Sequence, residues 1–374
     1  MEWRVSLSDL DFGEEEEQAV LDVLHSRWLT MGSRTNEFEK EFSSFTGAAH
    51  AIAVSNATQA LHLACIALGI GPGTEVIVPS LTFVATSNAV LYTGAEVRFA
   101  EIMGETDLTI SPGSIERLIN ERTKAIMVMH YGGYACDMQA VMEIARKHKL
   151  AVIEDAAHAP GAWLDGKHLG TFGDIGCFSF FSNKNLAVGE GGMMITNNDD
   201  LDKKLRLLRS HGMTTLTWDR HKGHAHTYDV VELGYNDRID EIRSALGLAQ
   251  LAKLTRNNQK RSEITEIYRK ELAASQITLP FAGHRGNSSC HIFPILLPDG
   301  VDRSVFIDNM QAEGIQTSIH YPPIHTFTYY RNRYPGVELP VTERMAAREV
   351  TLPLYPTMTP DMVGWVIEAV KKSL

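Results

Sequence analysis

The chain has 374 residues, of which 44% are hydrophobic and 22% charged, with a formal net charge of −11. This content supports a large core and excludes a disordered chain, and the acidic balance argues against nucleic acid, whose phosphates are held by clustered Lys and Arg. Four separated cysteines, Cys65, Cys136, Cys177 and Cys290, lack paired spacing and read as reduced thiols. The N-terminal stretch has neither the basic nor the apolar part of a signal peptide, and no apolar run is long enough to span a bilayer. A cytoplasmic protein with no membrane partner is the expectation.

Glu14 to Ser26 has helical periodicity, with Ala19, Val20, Val23 and Leu24 on one face and an acidic first turn suited to the helix dipole. A loop at Trp28 to Gly32 precedes a second helix near Thr35 to Phe45. From about residue 50 to 200, short apolar runs alternate with helical patterns. The runs are Ala51–Val54, Val76–Val78, Val97–Phe99, Ala125–Met129, Ala151–Glu154, Cys177–Phe180 and Met193–Ile195; the helical patterns include Ala57–Leu68 and Met138–His148. Continuous apolar strands separated by helices predict a mainly parallel sheet covered on both faces, with ligands beyond the carboxyl ends of the strands.

After residue 238 two helices are expected, Arg238–Leu254 and Asn258–Ala274, the second bridging to a smaller α/β unit. That unit would hold a strand at His291–Leu297, a helix near Arg303–Glu313, a strand at Gln316–Ile319 and a final helix at Pro360–Lys372. The expected division is a large domain over 1–254 and a small one over 255–374.

Chemistry concentrates at the strand ends. Lys184 follows the strand-like run that ends at Phe180, and Gly189-Glu190-Gly191-Gly192 comes after it. A lysine there is costly unless its amine is used or paired. The strand Ala151–Glu154 leads into Asp155, with His158 close behind. This set suggests pyridoxal phosphate: the amine can form a Schiff base, and a carboxylate can keep the pyridine nitrogen protonated. Ser55-Asn56-Ala57-Thr58 opens a helix and offers backbone amides to an anion or serves as a simple cap. His224 and His226 lack partners at metal-ligand spacing and read as a solvated loop, so no metal is expected. Trp218 is either a substrate contact or a loop anchor. The early strands carry no Gly-x-Gly-x-x-Gly turn of the kind a nicotinamide dehydrogenase needs.

In this order the elements resemble the DegT-type nucleotide-sugar aminotransferases, a branch of the fold-type I pyridoxal-phosphate enzymes. The likeness spans nearly the whole chain. It is carried by Trp28-Leu29-Thr30, Gly73-Thr74-Glu75-Val76-Ile77-Val78-Pro79-Ser80, Thr82-Phe83-Val84-Ala85-Thr86, Glu154-Asp155-Ala156-Ala157-His158, Lys184-Asn185-Leu186, Leu233-Gly234-Tyr235-Asn236 and His320-Tyr321-Pro322-Pro323. The resemblance implies Lys184 as the Schiff-base lysine and proton shuttle, Asp155 on the pyridinium nitrogen, His158 by the phenolic oxygen and Phe83 on the ring face. It further implies Ala57, Thr58 and Ser179 on the phosphate, and Asn236 reaching that phosphate from a neighbouring subunit of a homodimer with shared sites. Thr30, Arg238, His320 and Tyr321 fall on the substrate side. Glutamate as amino donor and a nucleotide-linked keto-sugar as acceptor follow from the same likeness, with carbon 4 of a 4-keto-6-deoxy sugar favoured through Asp155–His158 and His130-Tyr131. Amination of a cyclitol ketone, or a non-catalytic regulatory protein on the same fold, are the alternatives. Two departures stand out: Asn56-Ala57-Thr58 replaces the usual Ser-Gly-Thr, and Phe181 stands where a histidine is common. Retention of Lys184 weighs against the dehydratase members, which replace it.

Overall fold

The computed structural model describes residues 3–214 and 227–374; Trp218, His224 and His226 lie outside the described residues. All seven expected runs form strands of one sheet: β1 (His50–Val54), β2 (Glu75–Pro79), β3 (Glu96–Ala100), β4 (Thr123–Met129), β5 (Ala151–Asp155), β6 (Ile175–Ser179) and β7 (Gly192–Thr196). Their spatial order is β1-β7-β6-β5-β4-β2-β3. β7 is antiparallel to both neighbours, β1 and β6, and the remaining contacts are parallel. Six strands therefore point the same way, and their carboxyl ends share one edge.

Side chains alternate across each strand, and both faces are covered. Ile52, Val54, Val76, Val78, Ala125, Met127 and Ile153 pack beneath α3 (Ala57–Ala67), α4 (Ala85–Tyr92) and α6 (Asp199–Arg209). Ala51, Ala53, Ile77, Ile126, Val128 and Val152 face the other way, toward α2 (Ser33–Thr46), α5 (Met138–His148) and α7 (Glu241–Leu272). The amino-terminal helix α1 (Glu14–Ser26) matches its expected limits and packs on α7. Among the described residues no helix is long and apolar enough to cross a membrane.

The two expected helices after residue 238 are one continuous 32-residue helix, α7. The apolar stripe lapses at Arg256-Asn257-Asn258, which suggested a break. The helix continues because these polar groups find buried partners: Asn258 Nδ2 donates to Pro160 O at 2.9 Å, and Arg261 Nη1 to Leu354 O at 2.6 Å. The expected boundary between 254 and 255 falls inside this helix. Its first half packs on the sheet through Leu251 and Leu254; its second half, through Ile264, Tyr268 and Leu272, enters a separate core with β8 (Phe293–Leu296), α8 (Arg303–Ala312), β9 (Glu349–Leu352) and α9 (Pro360–Ser373). Val5, near the chain's start, joins that carboxy-terminal core.

The expected strand at Gln316–Ile319 is absent as a ladder. The segment divides its backbone bonds between two neighbours: Gln316 N donates to Val5 O at 3.0 Å, and Ser318 exchanges bonds with Thr351. Each contact is a single bridge. The strand expected at His291–Leu297 is confined to β8, paired antiparallel with β9.

Candidate active site

The common strand edge brings the chemistry together. Asp155 ends β5 and Ser179 ends β6, and the two strands run parallel in register. Beyond Ser179 the chain loops out and back. Phe180 N donates to Gly191 O, and Val188 N to Phe180 O, closing the loop that carries Lys184. Leu186, Ala187 and Val188 anchor it in the interior. At the other side of β7, Asn56 caps α3 by accepting from Gln59 N at 3.0 Å. Gly192 lies between: a Cβ there would stand 2.6 Å from the Asn56 carbonyl carbon and 2.8 Å from Ala57 N. Only glycine lets the start of α3 come this close to β7.

These elements enclose a cavity of about 770 Å³, lined among others by Ala57, Thr58, Asp155, His158, Ser179 and Lys184. Phe83, His320 and Tyr321 also line it. Phe83 is 56% exposed, an aromatic face left open toward the cavity.

Asp155 is 4% exposed. Its Oδ2 accepts from Thr86 Oγ1 at 2.7 Å and its Oδ1 from Ala157 N at 3.2 Å. Burial pushes its pKa up, and these two donors and the charge of Lys184 offset only part of that rise. His158 is buried, and Gly132 N–H donates to its Nδ1 at 3.2 Å. Because Nδ1 is the acceptor, the neutral ring carries its proton on Nε2 and donates it to Tyr321 Oη, 2.9 Å away. Burial, followed by the charges of Lys184 and His320, holds the His158 pKa well below the usual imidazole value.

Lys184 is half-buried and lines the cavity. Burial lowers its pKa to about 8, with the Asp155 carboxylate pulling the other way. A neutral fraction on the order of a tenth then exists near pH 7. The amine lies 3.4 Å from His291 Nε2. Sequence reasoning passed over His291 as a site residue. It stands two positions before β8, far from Lys184 along the chain, and a lone histidine next to an apolar run carries no local signal.

Not every anticipated residue reaches this cavity within its own chain. Thr30 forms a single bridge with Asp240, and Asn236 one with Ser210; neither they nor Arg238 line the cavity. His130 is turned away, with its Nε2 2.8 Å from Glu154 Oε2. Tyr131 Oη donates to His320 O and so supports the wall from behind.

The comparisons with known proteins agree with this geometry. Residues 10–371 match the DegT/DnrJ/EryC1/StrS aminotransferase family. The spore coat polysaccharide biosynthesis protein SpsC of Bacillus subtilis is 41% identical over 369 residues, covering 96% of this chain and 94% of that one. Helicobacter pylori PseC, an aminotransferase involved in the biosynthesis of pseudoaminic acid, superposes with a TM-score of 0.92 at 31% identity, over 100% and 99% of the two chains. S. venezuelae DesV, solved in complex with a ketimine intermediate, gives 0.88 at 34% identity, over 96% and 94%. The strand-edge lysine and carboxylate, the fold and these likenesses converge: the chain belongs to the DegT/DnrJ/EryC1/StrS family of pyridoxal-phosphate-dependent aminotransferases.

Proposed function

We propose that this protein moves an amino group from glutamate to the keto carbon of a nucleotide-linked sugar, at carbon 4 of a 4-keto-6-deoxy sugar. The observation that carries the reading is the meeting of Asp155, Lys184 and the first turn of α3 in one cavity. SpsC serves in polysaccharide biosynthesis and PseC in that of pseudoaminic acid, which supports a sugar acceptor.

The cavity's donor set fits pyridoxal 5′-phosphate. The close approach at Gly192 sets the first-turn amides of α3, which a helix cannot satisfy internally, beside Ser179 as an anion cradle. Asp155 offers a buried carboxylate to a protonated ring nitrogen, Phe83 offers a face for stacking, and Lys184 offers an amine. When bound, the cofactor supplies a carbonyl carbon that takes an amine and a ring that draws electrons from the reacting carbon. The chain's residues do the rest. Ala57, Thr58 and Ser179 hold the phosphate. Asp155 keeps the ring nitrogen's proton. His158, with Tyr321, faces the phenolic oxygen. Lys184 carries the proton between substrate and cofactor carbons. His320 and Tyr321 form the sugar-side wall.

Among the described residues, the lining includes one lysine, Lys184, and no arginine. A phosphate and a donor carboxylate need more positive charge than that. We assign Asn236 and Arg238 to the cavity of a second copy in a two-fold homodimer, Asn236 toward the phosphate and Arg238 toward the glutamate carboxylate, with Thr30 on the substrate side. The exposed apolar residues Leu29, Val230, Val231 and Leu233 nearby support burial of this surface.

Two experiments test the reading. Glutamate should bleach the colour of the cofactor-loaded protein, and a keto-sugar nucleotide should restore it. Restoration by inosose but by no sugar nucleotide would move the acceptor to the cyclitols, and no bleaching by glutamate would remove the donor assignment. Mixing inactive Lys184→Ala and Asn236→Ala subunits under exchange should regain activity, with about a quarter of all sites intact. If Asn236→Ala alone is impaired and mixing regains nothing, the site belongs to one chain.

A further inference from the structure

The hydrogen-bond chain behind Lys184 has a fixed direction. Asn258 Nδ2 donates to Pro160 O at 2.9 Å, and Asn185 Nδ2 donates to Ser289 O at 2.7 Å and to Asn258 Oδ1 at 2.8 Å. A backbone carbonyl only accepts, so both amide groups have one possible orientation. That orientation turns Asn185 Oδ1 toward His291 Nδ1, 2.9 Å away, and an amide oxygen also only accepts. The ring proton of neutral His291 is therefore on Nδ1, and Nε2 is bare. It is this bare nitrogen that lies 3.4 Å from the Lys184 amine.

The ring's surroundings keep it neutral. His291, Asn185 and Asn258 are all buried. His158 stacks at a tilt with ring centroids 4.3 Å apart, Arg261 Nη1 donates to His291 O at 3.3 Å, and His320 and Lys184 are further titratable neighbours among the described residues. Burial first, then His158, Lys184, Arg261 and His320, hold the His291 pKa well below the ordinary imidazole range. Among the described residues, the groups that act most on His291 all disfavour its protonation.

We propose that His291 is a positioning residue for Lys184: an acceptor-only neighbour that fixes one N–H of the amine and leaves its lone pair free for the proton it must carry. A donor in the same place would occupy that lone pair and block the lysine as a base. The directional chain back to Pro160 and Ser289 prevents His291 from becoming such a donor. The loop after β6 thus depends on the segment before β8, and the two parts of the fold meet at the reacting amine. The inference rests on Lys184 being the reacting amine, as proposed above.

The test is run on the cofactor-free protein, so that it can fail while that reading stands. Competitive acetylation with acetic anhydride across the pH range, read by peptide mass spectrometry, gives the titration of Lys184 directly. The parent should titrate near the value of about 8. His291→Leu removes an acceptor of the ammonium form, so the midpoint should fall by about one unit. In the loaded protein, kcat should fall by about tenfold with the donor KM unchanged. An unshifted Lys184 midpoint in folded His291→Leu overturns the proposal. Should His291→Leu fail to fold, His291→Gln and His291→Asn decide. Glutamine can set Oε1 where Nε2 stands, and asparagine cannot reach. A near-parent midpoint in the first with a lower one in the second supports the assignment; equal midpoints overturn it.

Discussion

Glu39 and Asp155 are both buried against the central sheet, at 6% and 4% exposure, yet their surroundings pull their acidities in opposite directions. Glu39 accepts from Ala53 N at 2.9 Å and from Arg206 at 2.7 Å, and it also pairs with Arg209. Burial pushes its pKa up, but the two guanidinium charges more than reverse this, and the net shift is downward. Asp155 has a hydroxyl and one backbone amide as donors, and its net shift is upward. The first group is satisfied by the fold alone. The second is left with acceptor capacity facing a cavity, which is how a binding site differs from a structural clamp.

The largest effect should come from removing the amine whose charge offsets the burial of Asp155. Lys184→Ala should lower turnover at least about a thousandfold, because general acid–base transfer by a placed group accounts for that scale. Borohydride treatment of the loaded parent should fix the cofactor to a peptide containing Lys184. Attachment to another lysine removes the central assignment.

Glu39→Gln attacks the other half of the comparison. Buried Arg209 loses its counter-charge and half-buried Arg206 one of its two, and the cost should be about 3–5 kcal/mol of folding stability, measured by denaturant unfolding. Because the Glu39 pKa is lowered on folding, the parent's contribution from this group is present above the unfolded carboxylate value and disappears as pH falls through the folded one. The stability gap between parent and variant should therefore narrow in acid.

Asp155→Asn should do the reverse. Turnover should fall by about a hundredfold or more, since an amide cannot hold a ring nitrogen's proton as a carboxylate can. The cofactor-free protein, however, should be no less stable. A folded pKa raised above the unfolded one contributes stability only below the unfolded value, and that contribution is lost as pH rises through the folded pKa. At pH 8 the variant should thus match or exceed the parent's unfolding temperature. A marked loss there would make Asp155 a structural cap.

The sequence made one half of this contrast far easier to see than the other. Asp155 and Lys184 stand next to continuous apolar strands, so their place at the carboxyl edge could be read from pattern alone. The sheet was legible for the same reason, down to all seven strands. α7 was misread as two helices because its middle is polar, and only tertiary partners such as Pro160 O and Leu354 O explain why it continues. β9 is four residues long and begins with a buried Glu349, whose burial raises its pKa to about 8; its hydrophobic signal was too short to register. Glu39 and His291 carry no pattern at all. Each acquires its role from groups more than a hundred residues away, Arg206 and Arg209 for one and Asn185 for the other.

The smallest predicted effect gives the finest test of Asp155. Thr86 Oγ1 donates its one proton to Asp155 Oδ2, so the 2.8 Å contact between the Thr82 and Thr86 hydroxyls must be a bond donated by Thr82. Thr86→Val keeps the shape and removes this donor from the ionised carboxylate. The Asp155 pKa should rise further, and fewer molecules will hold Asp155 ionised at low pH. Cofactor binding that requires the carboxylate should weaken by about three- to tenfold at pH 6, the scale of a single hydrogen bond. At pH 8.5 Asp155 ionises more readily in both proteins, and the difference should shrink. Titrating the cofactor-free proteins with pyridoxal phosphate at the two pH values measures this directly. An affinity gap that is the same at both values would mean that Thr86 shapes the cavity without tuning Asp155, and Asp155 would then resemble Glu39 more than the structure's electrostatics imply.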